Sequence, residues 1–225
     1  MRENEKTYQS RVAIGFPERE LWRNAPCVLD SQSLKILGHP VMENWETPYM
    51  KELARVATRE GGIVLEVGYG MGISARFIQT HSIEHHLIIE ANDSIAKTLS
   101  EFAKDAPNPV TALPGFWEDV TPHIQSGSIS GILFDTYPLR KEEIHSNHFA
   151  FFREAYRLLK EGGVLTYYSD ESSDFSPEHR AALVSAGFED IEYTLCEVNP
   201  PPECLYWQEN KLLVPIIHKF THQLP

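Results

Sequence analysis

Basic residues are the first scarcity. Lysine and arginine number 20 against 32 aspartates and glutamates, a net charge of −12 over 225 residues. A phosphate backbone selects a basic surface, so no nucleic-acid partner is expected. A small cationic substrate is compatible with the charge, which does not by itself demand one. Cysteine is almost absent: Cys27, Cys196 and Cys204 are too few and too scattered for a disulfide framework, which favours a reducing, cytoplasmic setting. No apolar run approaches the roughly 20 residues of a spanning helix. Met1 to Lys6 lack the apolar core of a signal peptide, so no membrane partner is expected either. There is no Gly-x-Ser-x-Gly elbow, no phosphate loop ending in Lys-Ser/Thr, and no Cys/His spacing of the usual metal kind. His81, His85 and His86 cluster, but the last two open a strand-like run, which breaks a shared helical face. No metal is expected.

What is present centres on the stretch from Val64 to Ile73. An apolar run rich in β-branched residues, 63–67, reads as a buried parallel strand. Gly68, Gly70 and Gly72 follow with Tyr69 and Met71 between them, then a helix-compatible segment. Glycine lets the chain turn sharply and lets a ligand lie against bare backbone. Dinucleotide sites use a similar turn, so the repeat alone is ambiguous. Two acids narrow it. Glu66, inside the strand, is placed to meet a cationic ligand group, and Glu90, ending the next apolar run, suits the two hydroxyls of a ribose. A nucleoside carrying a positive charge fits both, and S-adenosylmethionine is the common one.

Residues 1–32 lack clean periodicity and read as an N-terminal arm, with Phe16, Leu21 and Trp22 as apolar points in a charged run. Trp22 calls for burial, so the arm is expected to fold over a pocket as a lid, with fraying in its first dozen residues. Residues 33–225 form the remaining domain. Thr47-Pro48 opens a helix running to Thr58, with Met50, Leu53, Ala54 and Ala57 inward. On pattern alone, Glu46 just ahead of it reads as a solvated acid near the helix dipole. Strand-like runs at 63–67, 86–90, 109–113, 130–135, 163–168, 189–198 and 212–220 alternate with helix-like runs at 73–80, 93–104, 147–160 and 177–186. That alternation predicts right-handed βαβ units and a parallel sheet. No helix separates the last two runs, so they should pair as an antiparallel hairpin. The whole is an α/β, Rossmann-like sheet of class I methyltransferase type, mostly parallel with a C-terminal antiparallel hairpin and helices on both faces.

Open parallel sheets bind ligands at the carboxyl ends of their strands. In Gly115-Phe116-Trp117-Glu118-Asp119, either the aromatic stacks on adenine while an acid takes its amine, or Asp119 caps a helix and Trp117 enters the core. Asp135 ends a central strand, where a buried acid is costly unless paired, and a ligand role is favoured there.

The chain resembles the guanidinoacetate N-methyltransferase family, closely over residues 34–168 and loosely elsewhere. The resemblance is carried by Trp45-Glu46-Thr47-Pro48-Tyr49-Met50, by the glycine turn, by Ile88-Ile89-Glu90 and Trp117-Glu118-Asp119, and by Phe134-Asp135-Thr136-Tyr137-Pro138-Leu139. It implies S-adenosylmethionine contacts at Trp22, Met42, Met50, residues 68–72, Glu90, Trp117, Glu118 and Asp135, with S-adenosylhomocysteine as product. It also implies that Glu46 and Asp135, beside Met42, hold the guanidino group of a small molecule, guanidinoacetate first, to give creatine. The family holds the substrate carboxylate on backbone amides, which fall here at Glu171 and Ser172. This chain departs in that segment: Tyr168 to Pro177 is shorter and carries Asp170, Glu171 and Asp174. Those acids either cap the next helix or receive a cationic end, as in arginine or another guanidine. A catalytically silent S-adenosylmethionine-binding protein is the rival of a different class. A monomer or a homodimer is compatible with the sequence.

Overall fold

A computed structural model describes residues 12–220. In chain order its elements are α1 (Arg19–Asn24), β1 (Cys27–Leu29), β2 (Ser33–Ile36), β3 (His39–Glu43), α2 (Thr47–Ala57), β4 (Ile63–Val67), α3 (Ile73–Ile78), β5 (His85–Glu90), α4 (Asp93–Asp105) and β6 (Val110–Pro114). They continue with α5 (Trp117–Val120), β7 (Ile129–Phe134), α6 (Asn147–Leu158), β8 (Leu159–Tyr167), α7 (Pro177–Ala186), β9 (Asp190–Glu197) and β10 (Lys211–His218).

Seven strands form one sheet in the order β6-β5-β4-β7-β8-β10-β9. Strands β4 to β8 are parallel to their neighbours, while β10 runs antiparallel to both β8 and β9. The terminal hairpin is therefore present, with its second strand inside the sheet. Residues alternate between two cores: Val64 and Ile88 pack on one side, Leu65, Val67 and Ile89 on the other, with α6 and α7. The central strand β7 is buried at every position, as a strand covered on both faces must be. A Cβ on its Gly131 would lie 1.8 Å from the carbonyl oxygen of Ala57, so glycine is what lets α2 seat against the strand.

Three features depart from the sequence reading. Helix α6 stops at Leu158, and β8 begins at Leu159, which already pairs with Ile129. The glycines at 162 and 163 thus fall inside the strand rather than at a helix end, because two consecutive buried leucines suit an extended chain entering the sheet. Strands β1, β2 and β3 form a separate antiparallel sheet, with a register shift at Leu34/Lys35 that hides the alternation from a pattern search. Strand β1, within the stretch read as an arm, hydrogen-bonds to β2. No helix among the described residues is long and apolar enough to cross a membrane.

Candidate active site

A cavity of about 440 Å³ opens at the carboxyl ends of the parallel strands. Gly68 and Gly70 enter it after β4, Glu90 at the end of β5, Phe116 to Glu118 after β6, Asp135 to Leu139 after β7, and Tyr168 with Asp170 after β8. Met42 from β3, Arg19 and Trp22 from α1, and Tyr206 from the β9–β10 connection complete the lining. Gly68 has φ +95°, and a Cβ there would fall 1.8 Å from the carbonyl oxygen of Asp135. The turns after β4 and β7 therefore meet backbone to backbone, which fixes Asp135 beside the glycine turn.

Glu90 is pinned by its own backbone surroundings. Oε2 accepts from Tyr69 N at 3.0 Å and Oε1 from Asn92 N at 2.8 Å. Burial raises its pKa, and these amide donors oppose the rise. Asn92 caps α4 by accepting from Ser94 N and Ile95 N, while its Nδ2 donates to Trp22 O and Ala25 O at 2.7 and 2.9 Å. One side chain thus ties the end of α1 to the strand carrying Glu90. Trp22 is buried and stacks on Tyr137, centroids 5.0 Å apart, and His39 Nδ1 shares a 3.0 Å hydrogen bond with the Tyr137 hydroxyl. Arg19 donates to Asp119 at 2.8 Å with its guanidinium over the Phe116 ring.

Glu46 closes a capping box with Glu43 at the 3-10 turn Asn44–Glu46. It is buried at 2% exposure, so the expected solvated acid is not what forms: the turn folds the carboxylate inward. Its Oε1 accepts from Glu43 N at 2.7 Å and from the Tyr206 hydroxyl at 2.5 Å. Burial first, and then the charge of Asp135, push Glu46 up to about 8, against an ordinary value of 4.5. The Tyr168 hydroxyl is buried with no hydrogen-bond partner. Burial leads, and the charges of Glu46, Asp170 and Asp135 add, in holding its pKa well above normal.

A raised carboxyl pKa sets a sign for stability. The contribution of Glu46 is fully present below about 4.5 and is lost as pH rises towards about 8. Thermal melts from pH 5 to 8 should show Glu46→Gln losing less stability than the parent chain. Parallel curves would mean that Glu46 does not hold a proton in the fold.

Trp22, Met42, Gly68, Gly70, Glu90, Trp117, Glu118 and Asp135 meet at the cavity; the other residues singled out from sequence do not line it. Helix α2 carries Met50 into the core at 0% exposure. Glu66 faces the α3 side of the sheet, where it accepts from the Ser74 hydroxyl and lies 2.9 Å from His86 Nε2, so it meets a buried histidine instead of a ligand. The Tyr69 ring packs over Gly72 and Phe102, and Met71 turns outward of the lining while its amide donates to Met42 Sδ at 3.5 Å. Glu46 stands behind Tyr206. Glu171 and Ser172 are displaced from the cavity because Glu171 serves helix α7, accepting from Ser176 N at 3.1 Å and facing His179 Nδ1. Asp119 does not cap α5, whose N-cap residue Phe116 makes no side-chain bond; Asp119 holds Arg19. Sequence reasoning missed Tyr168, Tyr206, Phe116 and Arg19 as lining residues. Tyr206 lies 160 positions from Glu46, and no local pattern joins them.

A family model described as guanidinoacetate N-methyltransferase matches residues 12–220. The chain belongs to that family. The fold agrees: the Thermotoga maritima spermidine synthase superposes with a TM-score of 0.59 at 15% identity, covering 87% of this chain and 72% of that one. The M. jannaschii TYW2 in complex with AdoMet gives 0.54 at 14% identity, covering 87% and 85%. Among curated relatives, protein arginine N-methyltransferase 2 of Yarrowia lipolytica is 27% identical over 182 residues, 76% of this chain and 37% of the relative. Its Aspergillus oryzae counterpart is 30% identical over 164 residues, 68% and 38%. The chain thus spans less than two fifths of the length of these relatives. This guanidinoacetate N-methyltransferase family member is an S-adenosylmethionine-dependent methyltransferase. The lining fits that cofactor by its chemistry: bare backbone at Gly68 and Gly70, acceptor carboxylates at Glu90 and Glu118, and aromatic faces at Phe116 and Trp117.

Proposed function

We propose that the chain methylates a guanidino nitrogen of a small molecule held by Asp135 and Glu46. The observation that carries this is the pairing of two carboxylates at the inner wall: Asp135 lines the cavity, and its charge reaches the buried Glu46. Two acids so placed repel one another when empty, and a planar cation relieves that repulsion while satisfying both by charge-assisted bonds. Tyr206 and Glu43 both bond to Oε1 of Glu46, which leaves Oε2 for the guanidinium. Glu90 takes the ribose hydroxyls, Phe116 and Trp117 flank the adenine with Glu118 on its amine, and Trp22 with Met42 covers the methionine end. When bound, S-adenosylmethionine supplies a methyl group that passes to nitrogen as its carbon–sulfur bond breaks, leaving S-adenosylhomocysteine. A protonated guanidine, with a pKa of roughly 12 or more, is a poor nucleophile. Asp135 orients one nitrogen and takes its proton as the new bond forms, so that the product remains a methylguanidinium.

Guanidinoacetate, giving creatine, is the substrate the family's name carries to this site. Arginine or another guanidine is the second reading, favoured by Asp170, which lines the cavity. Both deliver the same planar cation. The test is methyl transfer from labelled donor to guanidinoacetate, guanidinopropionate, arginine, agmatine and an arginine peptide, read by mass. A methylated guanidine is expected; cofactor binding with no guanidine methylated would end this reading.

The pair also predicts a pH profile. Guanidinium binding wants Glu46 ionised, so kcat/KM should rise about tenfold per pH unit up to a break near 8 and then level. The Tyr206 hydrogen bond pulls that value down, so Tyr206→Phe should move the break upward. A profile flat from pH 6 to 8 would separate Glu46 from substrate binding.

A further inference from the structure

The far end of the substrate meets the segment after β8. Asp170 adopts φ +54° there, a left-handed backbone that aspartate tolerates better than most residues. Its side chain is only 10% exposed and lines the cavity, with His145 Nδ1 3.9 Å from Oδ1. The other two acids of the segment are committed elsewhere. Glu171 serves α7 as described, and Asp174 accepts from Phe175 N at 2.7 Å and from Arg180 at 3.0 Å. The acidity of the segment therefore reaches the cavity through Asp170.

A carboxylate tail would need donors at the same place. Glu171 N donates to Ser169 Oγ at 3.3 Å, and neither Glu171 nor Ser172 borders the cavity. Of the cations in the lining, Arg19 is held by Asp119 and Glu118, and Arg140 is 75% exposed at the rim beside Glu143. The buried, unpartnered Tyr168 hydroxyl senses Asp170 together with Glu46 and Asp135. Three carboxylates thus surround one phenol, and a single guanidinium satisfies two of them.

We propose that the substrate is a guanidine bearing an amine, and that Asp170 receives its ammonium group. The inference rests on the guanidino reading above. An alkyl amine and an α-amino group offer the same cation, and agmatine and arginine represent them.

The test compares kcat/KM of the full chain for agmatine, L-arginine, propylguanidine (the neutral-tailed control) and guanidinoacetate. Agmatine or arginine should exceed propylguanidine by about tenfold or more, and guanidinoacetate should rank last, as expected for one charge-assisted bond gained or one repulsion added. Asp170→Asn should lower the agmatine-to-propylguanidine ratio by roughly 10- to 100-fold. A uniform loss that leaves the ratio intact overturns the assignment, as does guanidinoacetate ranking first in the parent chain, a comparison that needs no variant. Guanidinoacetate ranking first leaves the guanidino reading standing, whereas no turnover of any guanidine removes both.

Discussion

Asp135→Asn is expected to lower kcat by roughly 10³-fold while S-adenosylmethionine affinity changes only a few-fold. The size follows from what the carboxylate is asked to do: a positioned base contributes about 10²- to 10⁴-fold, and the same group orients the nitrogen. Asparagine keeps the shape. The backbone there is held independently of the side chain, since Asp135 N donates to Val67 O at 2.9 Å and its carbonyl packs on Gly68. The cofactor contacts at Glu90, Phe116 and Trp117 come from other strands. Single-turnover rates and calorimetric cofactor titration separate the two effects. An unchanged kcat would remove Asp135 from the chemistry, and lost cofactor binding would make it a cofactor residue first.

Gly68→Ala should damage fold and site together. Its Cβ would sit 1.8 Å from the oxygen and 3.0 Å from the carbon of the Asp135 carbonyl, in a backbone with φ +95°. Neither neighbour is a flexible side chain, so β4 and β7 must part. Overpacking and a strained backbone each cost about 1–3 kcal/mol. A loss of about 3 kcal/mol is a Tm drop of roughly 6–12 °C in a domain of this size. Methyl transfer should fall at least as far as in Asp135→Asn, because the carboxylate moves with its strand. A variant with parental Tm and activity would show that the two turns are not locked.

The sheet was legible because its signals are local: β-branched runs, helical spacing, and the absence of a helix before the last strand. The cofactor half of the site was legible for the same reason, since Gly68, Glu90, Trp117 and Asp135 each end a strand that the periodicity locates. The substrate half was not. Glu46 reads as a surface acid until the capping box turns it inward and Tyr206 covers it, and those two residues meet only through the fold. Glu66 misled because strand alternation, invisible without the neighbouring helix, aims it at His86. The acids after β8 looked interchangeable in sequence, and only side-chain direction separates Asp170 from Glu171 and Asp174.

The position of β10 has a consequence for how the molecule is made. As the final strand it lies between β8 and β9, with Ile217 opposite both Leu165 and Ile191, and the connection leading into it delivers Tyr206 to Glu46. On a ribosome, the earlier strands can pair as they emerge, but β8 waits with an open edge until residues near 218 clear the exit tunnel. Tyr206 joins the cavity wall at the same late step. Methyl-transfer competence should therefore appear abruptly at the end of synthesis, and release of the finished chain rather than collapse of its first half sets when the protein begins to work.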